Sequence, residues 1–330
     1  MSTTDNGHDF ERNRKMCAMR LDEKKQRERY DSAARLLPRR FQSLALNSDD
    51  WIKCSAEEFR LRVGRPFAIT CSGNEYEPSS TATISPQDIV EFLRIVSNGS
   101  VHTVAESLKR GFVTAEGGHR VGVCGSAVIK SGEVAGIKNF SSASLRIARE
   151  IRDIGKSIYD ILISEEIFPN LLIVSPPGGG KTTLLRDLIR LISDGEKRVA
   201  VADERNELSA MVEGIPGFDI GRRTDVLEGC SKSEAVLMLL RTMSPQVIVM
   251  DEITSPEDMD AMERAANCGV SLLATAHAYS MEDLSRRVYY KSASRLFDRI
   301  VRITVSSGKR NYELLKFADS DYENGFSNYG

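Results

Sequence analysis

No two cysteines of the chain stand at C-x-x-C spacing. The six, at positions 17, 54, 71, 124, 230 and 268, are scattered, which indicates neither a zinc site nor a disulfide framework and makes reduced thiols the plain reading. No apolar run approaches the roughly 20 residues needed to span a bilayer. The opening stretch MSTTDNGHDFERNRK also lacks the apolar core of a signal peptide. Both absences predict a protein that stays in the cytoplasm. An excess of one charge is missing too: 45 Lys and Arg against 47 Asp and Glu leave a formal net charge of −2, which gives no global pull toward nucleic acid or an anionic membrane. There is no internal repeat and no low-complexity tract, and 330 residues suggest two domains rather than one.

What the chain does have is a phosphate-binding loop. Residues 171–183 read LLIVSPPGGGKTT, a short apolar run of β type, a turn of Pro176 and Pro177 with three glycines, and then Lys181-Thr182-Thr183 opening the helical stretch LLRDLIRLIS. A chain that wraps a polyphosphate must aim several backbone N–H groups inward with no side chains in the way, which Gly178, Gly179 and Gly180 allow. Lys181 can reach the β- and γ-phosphates as a point charge, the Thr182 hydroxyl is placed to ligate Mg²⁺, and the helix N-terminus adds its positive dipole end. The nucleotide expected is ATP or a close relative. Where the pattern usually begins with glycine this chain has Ser175, small enough to fit.

A second half to the site follows seventy residues downstream, in QVIVMDE at 246–252. Val247 to Met250 form a continuous apolar run suited to a parallel strand covered on both faces. Asp251 would bind Mg²⁺ through its water shell, and Glu252 would orient and polarise the attacking water. Paired with the phosphate loop, these two carboxylates predict phosphoanhydride hydrolysis rather than nucleotide binding alone.

The organisation expected around the site has four parts. Residues 1–40 carry 11 Lys and Arg against 7 Asp and Glu and read as a mobile or helical arm. Residues 41–145 read as a small α+β domain: Ser85-Pro86-Gln87-Asp88 is a good helix start, Ile89, Phe92, Leu93 and Val96 form one apolar helical face, and a β-meander with a turn at Ser131-Gly132 follows. A linker with a helix near 155–165 fills 146–168. Residues 169–330 alternate strand and helix, with strands at 198–203, 246–251 and 271–277 and a C-terminal hairpin turning at SSGKRN, which predicts an α/β fold with a parallel sheet and helices on both faces. Further features lie at or near strand ends, where open α/β sheets place ligands. Asp203-Glu204-Arg205 follows one strand and His277 ends another. Arg222, Arg223 and Arg241 are grouped with them as candidates for the arginine that phosphoryl transfer often draws from a neighbouring subunit. A histidine there can sense the γ-phosphate by hydrogen bonding, or can be an ordinary strand-end residue.

The segments GGHRVGVCGSAVIKSGEVAGIKNFSSASLRIARE, PPGGGKTTLLRDL, VADERNEL, GRRTDVLEGCSK and LRTMSPQVIVMDEI, with ATAHA after them, resemble the stage III sporulation protein AA family, itself part of the wider set of type II and type IV secretion ATPases. The resemblance spans about residues 36–317. It implies a RecA-like P-loop core behind a small N-terminal domain. It also implies a homo-hexameric, Mg²⁺-dependent ATPase ring in the mother-cell cytoplasm of an endospore former, peripheral to the membrane through components of a membrane-embedded sporulation complex. Residue by residue, it gives Lys181 and Thr182 nucleotide and metal roles and sets Asp251 and Glu252 at the magnesium strand. It likens Asp203-Glu204-Arg205 to the acidic box of secretion ATPases and His277 to their histidine box. Those ATPases usually have glycine where this chain has Asp251. In a ring, Arg146 and Arg149, or Arg222 and Arg223, would be the arginines reaching a neighbour's phosphates. Two rival readings are a nucleic-acid-associated P-loop ATPase and a nucleotide-dependent scaffold without turnover. The first needs a C-terminal Arg-x-x-x-His module, but Leu273 stands four residues before His277 and the tail FADSDYENGFSNYG is acidic, so no nucleic acid is expected. Glu252 argues against the second.

Overall fold

Two sheets carry the strands of the computed structural model, which describes residues 23–71, 73–79, 81–97, 113–130, 133–286, 290–306 and 309–317. The chain divides into two units, Met1–Glu150 with Val212–Gly217, and Ile151–Met211 with Phe218–Gly330.

In the first unit the strands are β1 (Ala56–Arg62), β2 (Ala68–Cys71), β3 (Asn74–Tyr76), β4 (Val113–Ala115), β5 (His119–Lys130) and β6 (Glu133–Arg146). They form one antiparallel sheet in the order β3-β2-β1-β6-β5-β4. Helix Pro86–Val96 starts as its sequence predicts: the Ser85 hydroxyl accepts the Asp88 N–H, and the Asp88 carboxylate accepts the Ser85 N–H in return. Its expected apolar face, Ile89, Phe92, Leu93 and Val96, is buried. Residues 1–22, the turn at Ser131-Gly132 and the tail after Phe317 lie outside the described residues. The rest of the expected arm contains a helix over 23–35, and Tyr30, Ala33, Ala34 and Leu37 are fully buried in the core, with Tyr30 edge-on to Phe59 at 5.1 Å. These positions follow the i, i+3, i+4, i+7 rule of one helix face, which two small alanines disguise in a charge-rich stretch.

In the second unit the strands are β7 (Leu171–Ser175), β8 (Val199–Asp203), β9 (Thr224–Glu228), β10 (Val247–Met250), β11 (Ser271–His277), β12 (Arg299–Ser306) and β13 (Lys309–Lys316). The sheet order is β13-β12-β7-β11-β10-β8-β9, parallel throughout except for the antiparallel β12–β13 hairpin. Alternate strand residues feed two separate cores. Leu171, Ile173, Val199, Val247 and Leu273 pack on one side, and Leu172, Val174, Ala200, Ile248 and Leu272 on the other. This is why the strands read as unbroken apolar runs. Helices Lys156–Ser164, Lys181–Asp194, Lys232–Thr242 and Pro256–Asn267 are those the alternation predicts. β9 was not foreseen: it is a polar edge strand, TDVLE, pairing in parallel with β8. Among the described residues no helix is long and apolar enough to cross a membrane.

Topology positions the site. β11 lies between β7, which feeds the phosphate loop, and β10, which ends at Asp251-Glu252. A side chain at the end of β11 therefore stands between the two, and that residue is His277, in register with Ser175.

Candidate nucleotide site

The loop after β7 has the backbone its glycines predict. Gly178 and Gly180 sit at φ +72° and +101°, in the left-handed region that disfavours side chains, and a Cβ on Gly179 would fall 2.3 Å from the Ser175 hydroxyl. Ser175 is fitted by turning its hydroxyl beneath the loop to donate to the Pro176 carbonyl at 2.9 Å. The serine in the usual glycine position thus works because residue 179 has no side chain.

Lys181 opens helix Lys181–Asp194 and is 5% exposed. Its ammonium donates to the Ser175 carbonyl at 3.2 Å and to His277 Nδ1 at 2.6 Å. An ammonium has only protons to give, so Nδ1 is the acceptor and the ring proton lies on Nε2, which faces Glu252 Oε1 at 3.3 Å. Burial lowers the Lys181 pKa from its ordinary value, and the Glu252 and Asp251 carboxylates oppose that shift. The Thr182 hydroxyl is 3.4 Å from Asp251 Oδ2, while Asp251 Oδ1 accepts the Thr275 hydroxyl at 2.8 Å. Burial raises the Asp251 pKa, against the Thr275 hydrogen bond.

Lys181, Thr182, Asp251, Glu252 and His277 are thus one connected group. The guanidinium of Arg205, exposed to solvent, reaches Glu252 at 4.0 Å. Glu204 instead faces Lys232, at 3.8 Å. Asp203 is otherwise engaged: 2% exposed, it accepts the backbone N–H groups of Glu207, Leu208 and Ser209 and the Ser209 hydroxyl, so its oxygens close the loop that follows β8. Of the loop residues, Pro176 accepts the Gly179 N–H at 3.1 Å through its carbonyl.

The arginines part from the group. The Arg223 carbonyl accepts the Val199 N–H where β8 begins, so Arg222 and Arg223 stand at the sheet edge opposite this chain's own phosphate loop. Arg241, in the last turn before β10, lies at that same edge. All three precede parallel strands rather than follow them, β9 in the case of Arg222 and Arg223 and β10 in that of Arg241, so they stand away from the ligand-side strand ends of their own chain. Arg149 in the first unit donates to the carbonyls of Cys54 and Ala56.

Three residues at the site were not anticipated. Thr275 is fully buried and bridges the Asp251 carboxylate and the Glu252 N–H, the latter at 2.8 Å. Lys232 donates to the Glu252 carbonyl at 2.5 Å. Arg310, on β13, donates to the Gly179 carbonyl at 3.1 Å. Only Thr275, one strand residue before Ala276-His277, carried a positional hint.

The cradle fits a polyphosphate: open space over Gly178, a buried cation and a helix N-terminus coincide. Among the described residues no group of three or more His, Cys, Asp or Glu is disposed to hold an ion unaided. Thr182 with Asp251 suits a magnesium ion that keeps most of its shell as water and phosphate oxygen.

Comparisons with known proteins bear on the fold and the family. Among solved structures, the pilus retraction motor PilT with bound ADP superposes with a TM-score of 0.55 at 19% identity, over 79% of each chain. The Legionella pneumophila ATPase DotB gives 0.52 at 17% identity, over 81% of this chain and 79% of that one. At such identities the likeness is one of fold, a RecA-like P-loop core. The "Uncharacterized protein ycf45" of Cyanidium caldarium is 30% identical over 152 residues, 45% of this chain and 44% of that protein. The "Stage III sporulation protein AA" of Bacillus subtilis (strain 168) is 39% identical over 259 residues, 76% of this chain and 83% of that protein. Residues 26–312 match the family described as "Sporulation stage III, protein AA". With that match running through the first unit's core, the phosphate loop and the strand ends beside it, the chain belongs to the sporulation stage III protein AA family.

Proposed function

We propose that the chain is a Mg²⁺-dependent ATP hydrolase that works as a homo-hexameric ring, in the mother-cell cytoplasm, on a membrane-embedded sporulation complex. One observation carries the hydrolytic part: Glu252 reaches, through His277, the lysine of the phosphate loop, so a water-polarising carboxylate and the phosphate cradle meet on one imidazole, by a hydrogen bond on the lysine side and a 3.3 Å contact on the carboxylate side. The backbone of residues 175–183 holds the phosphates, and Lys181 leaves His277 to meet them. Thr182 and Asp251 hold the metal. A magnesium ion held by those two residues would supply neutralisation of the charge that develops on the phosphates. Glu252 orients the attacking water and takes its proton, as a positioned carboxylate does in general-base catalysis. His277, released by Lys181, reads the γ-phosphate by hydrogen bonding once its Nδ1 carries a proton, because a bare Nδ1 and a phosphate oxygen are both acceptors. Glu204 and Arg205 bound the water side of the site, with Arg205 paired to Glu252 before the substrate arrives. The ring and the membrane complex rest on family membership and on the motor-like fold.

The test is turnover by the full chain with Mg-ATP, with particle mass measured in the same samples. Lys181→Ala should lose nucleotide binding, whereas Glu252→Gln should keep ATP bound, lose turnover and preserve any assembly. Equal loss of nucleotide by both variants would refute these roles. Wild type inactive even on its membrane complex would leave a scaffold, and turnover stimulated by nucleic acid would favour the nucleic-acid reading.

A further inference from the structure

Among the described residues the buried lysines are Lys181 and Lys232. The reaction proposed above employs the first and leaves the second without a task. Lys232 is the first residue of helix Lys232–Thr242, and its side chain is 9% exposed. Its ammonium donates to the Glu252 carbonyl at 2.5 Å and to the Thr254 hydroxyl at 3.2 Å, and it faces Asp258 at 3.5 Å and Glu204 at 3.8 Å. Every one of these partners lies at or beside the acidic end of β10.

The backbone of Glu252 explains why a cation belongs there. Its φ is +50°, in the left-handed region that residues with side chains avoid unless their surroundings over-determine it. The constraints come from both sides. The Glu252 N–H donates to the Thr275 hydroxyl at 2.8 Å, the Ile253 N–H donates to the Thr275 carbonyl at 2.8 Å, and the Glu252 carbonyl accepts Lys232. Fixing the peptide groups on either side of a Cα fixes its Cα–Cβ direction, and that direction brings the Glu252 carboxylate to His277. Two of the three constraints come from Thr275 on the adjacent strand. The third is the only charged donor, and it reaches across from another helix.

We propose that Lys232 is a positioning residue for Glu252: by holding its carbonyl it keeps the peptide in the left-handed conformation that aims the carboxylate at the phosphate loop. Pairing with Glu204 ties this hold to the segment after β8, so the acidic box acts on Glu252 through Lys232 as well as through Arg205. This rests on Glu252 being the residue that polarises water. A lysine serving only to neutralise Asp258 would be a different matter, because Asp258 already accepts the N–H groups of Thr254 and Ser255 at the start of its own helix.

The experiment compares the full-length wild type with Lys232→Met, Lys232→Arg, Glu252→Gln and the Lys232→Met/Glu252→Gln pair. It measures kcat and KM for Mg-ATP, affinity for a fluorescent ATP analogue, melting temperature, and amide exchange over residues 247–256. Lys232→Met should lower kcat about a hundredfold with KM and analogue affinity little changed, the split expected when a transition-state interaction is lost. Exchange should rise over 247–256 and stay level over 175–185, and Lys232→Arg should recover part of kcat. Because the lysine acts through Glu252, the double variant should be no slower than Glu252→Gln alone. Retained kcat in Lys232→Met overturns the proposal, as does a double variant clearly slower than Glu252→Gln. Affinity and melting temperature falling in step with kcat would also overturn it, since that is a purely structural lysine. If the wild type hydrolyses nothing, the hydrolase reading fails, and the exchange measurement still decides whether Lys232 holds the Glu252 peptide.

Discussion

His119 in the first unit and His277 in the second are each held through both ring nitrogens, but by partners of different kinds. His119 is fully buried, with Nδ1 accepting the backbone N–H of Ala148 at 3.0 Å and Nε2 beside the Ser32 hydroxyl at 2.8 Å. His277 is bound by an ammonium and a carboxylate, both side chains. The contrast extends to their neighbours. Arg149 is spent mainly on the Cys54 and Ala56 carbonyls, with Gln26 beside them, and Asp88 on a helix cap and Arg40, whereas Lys181, Asp251 and Glu252 are partnered mainly by one another and by Thr275. A backbone partner cannot leave, so a polar group satisfied by it is architecture. A side-chain partner can be exchanged for a ligand, and groups that satisfy one another are the ones free to take up substrate. Asp203 shows the value of the distinction: it follows Ala202 on the strand beside β10, as Asp251 follows Ala202's partner Met250, yet it belongs with His119 because its four donors include three backbone N–H groups.

The sharpest way to break this comparison is to neutralise one residue of each kind. Glu252→Gln should lower kcat by about a thousandfold, roughly 4 kcal/mol of barrier, with little change in melting temperature. Asp203→Ala should do the opposite. Several buried donors lose a charged acceptor, which costs about 3 kcal/mol of stability, while turnover per folded molecule stays near wild type. Urea unfolding beside steady-state kinetics reads both. If Asp203→Ala instead stays stable and stops turning over, the acidic box is catalytic through Asp203 and the distinction fails.

His119 tests the architectural side by pH. Burial, aided by the Arg29 charge, lowers its pKa from 6.5 to about 3. Between these values the unfolded chain takes a proton that the folded ring refuses. The stabilisation is therefore complete above pH 6.5 and is lost as pH falls through that value toward 3, with a slope of up to about 1.4 kcal/mol per pH unit. Unfolding at pH 7 and pH 5 should show His119→Gln less stable at pH 7 but with a shallower decline than the wild type. Equal slopes in the two proteins would mean that the ring is protonated in place.

How much of this is legible in the sequence depends on the range of the signal. The phosphate loop and Asp251-Glu252 are legible because a glycine cluster and an apolar run ending in carboxylates are local patterns with local physical reasons. The same holds for the cap at Ser85. β9 is not legible: an edge strand with one face toward solvent needs no apolar run, and TDVLE between glycine-rich turns resembles a loop. With β9 read as loop, nothing local says at which end of the sheet Arg222 and Arg223 stand. Asp203 looked like an acid of the site because its partners lie four to six residues on, in a loop whose path only the fold sets. Lys232 is 20 residues from Glu252 and opens an ordinary helix, so nothing local marks it.

Arg310 should give the smallest effect, and it probes the backbone side of the contrast within the site itself. Its guanidinium donates to the Gly179 carbonyl from β13, 131 residues away in sequence. Because the peptide is planar and trans, the Gly180 N–H points opposite to that carbonyl. Holding the carbonyl toward Arg310 thus aims the N–H the other way, and Gly180, at φ +101°, has no side chain to fix its own conformation. Arg310→Ala is expected to remove one hydrogen bond worth about 1 kcal/mol and weaken binding of a fluorescent ADP analogue about fivefold, with kcat at saturating ATP unchanged. A loss of kcat at unchanged affinity would move Arg310 from the group that shapes the loop to the group that meets the reacting phosphate.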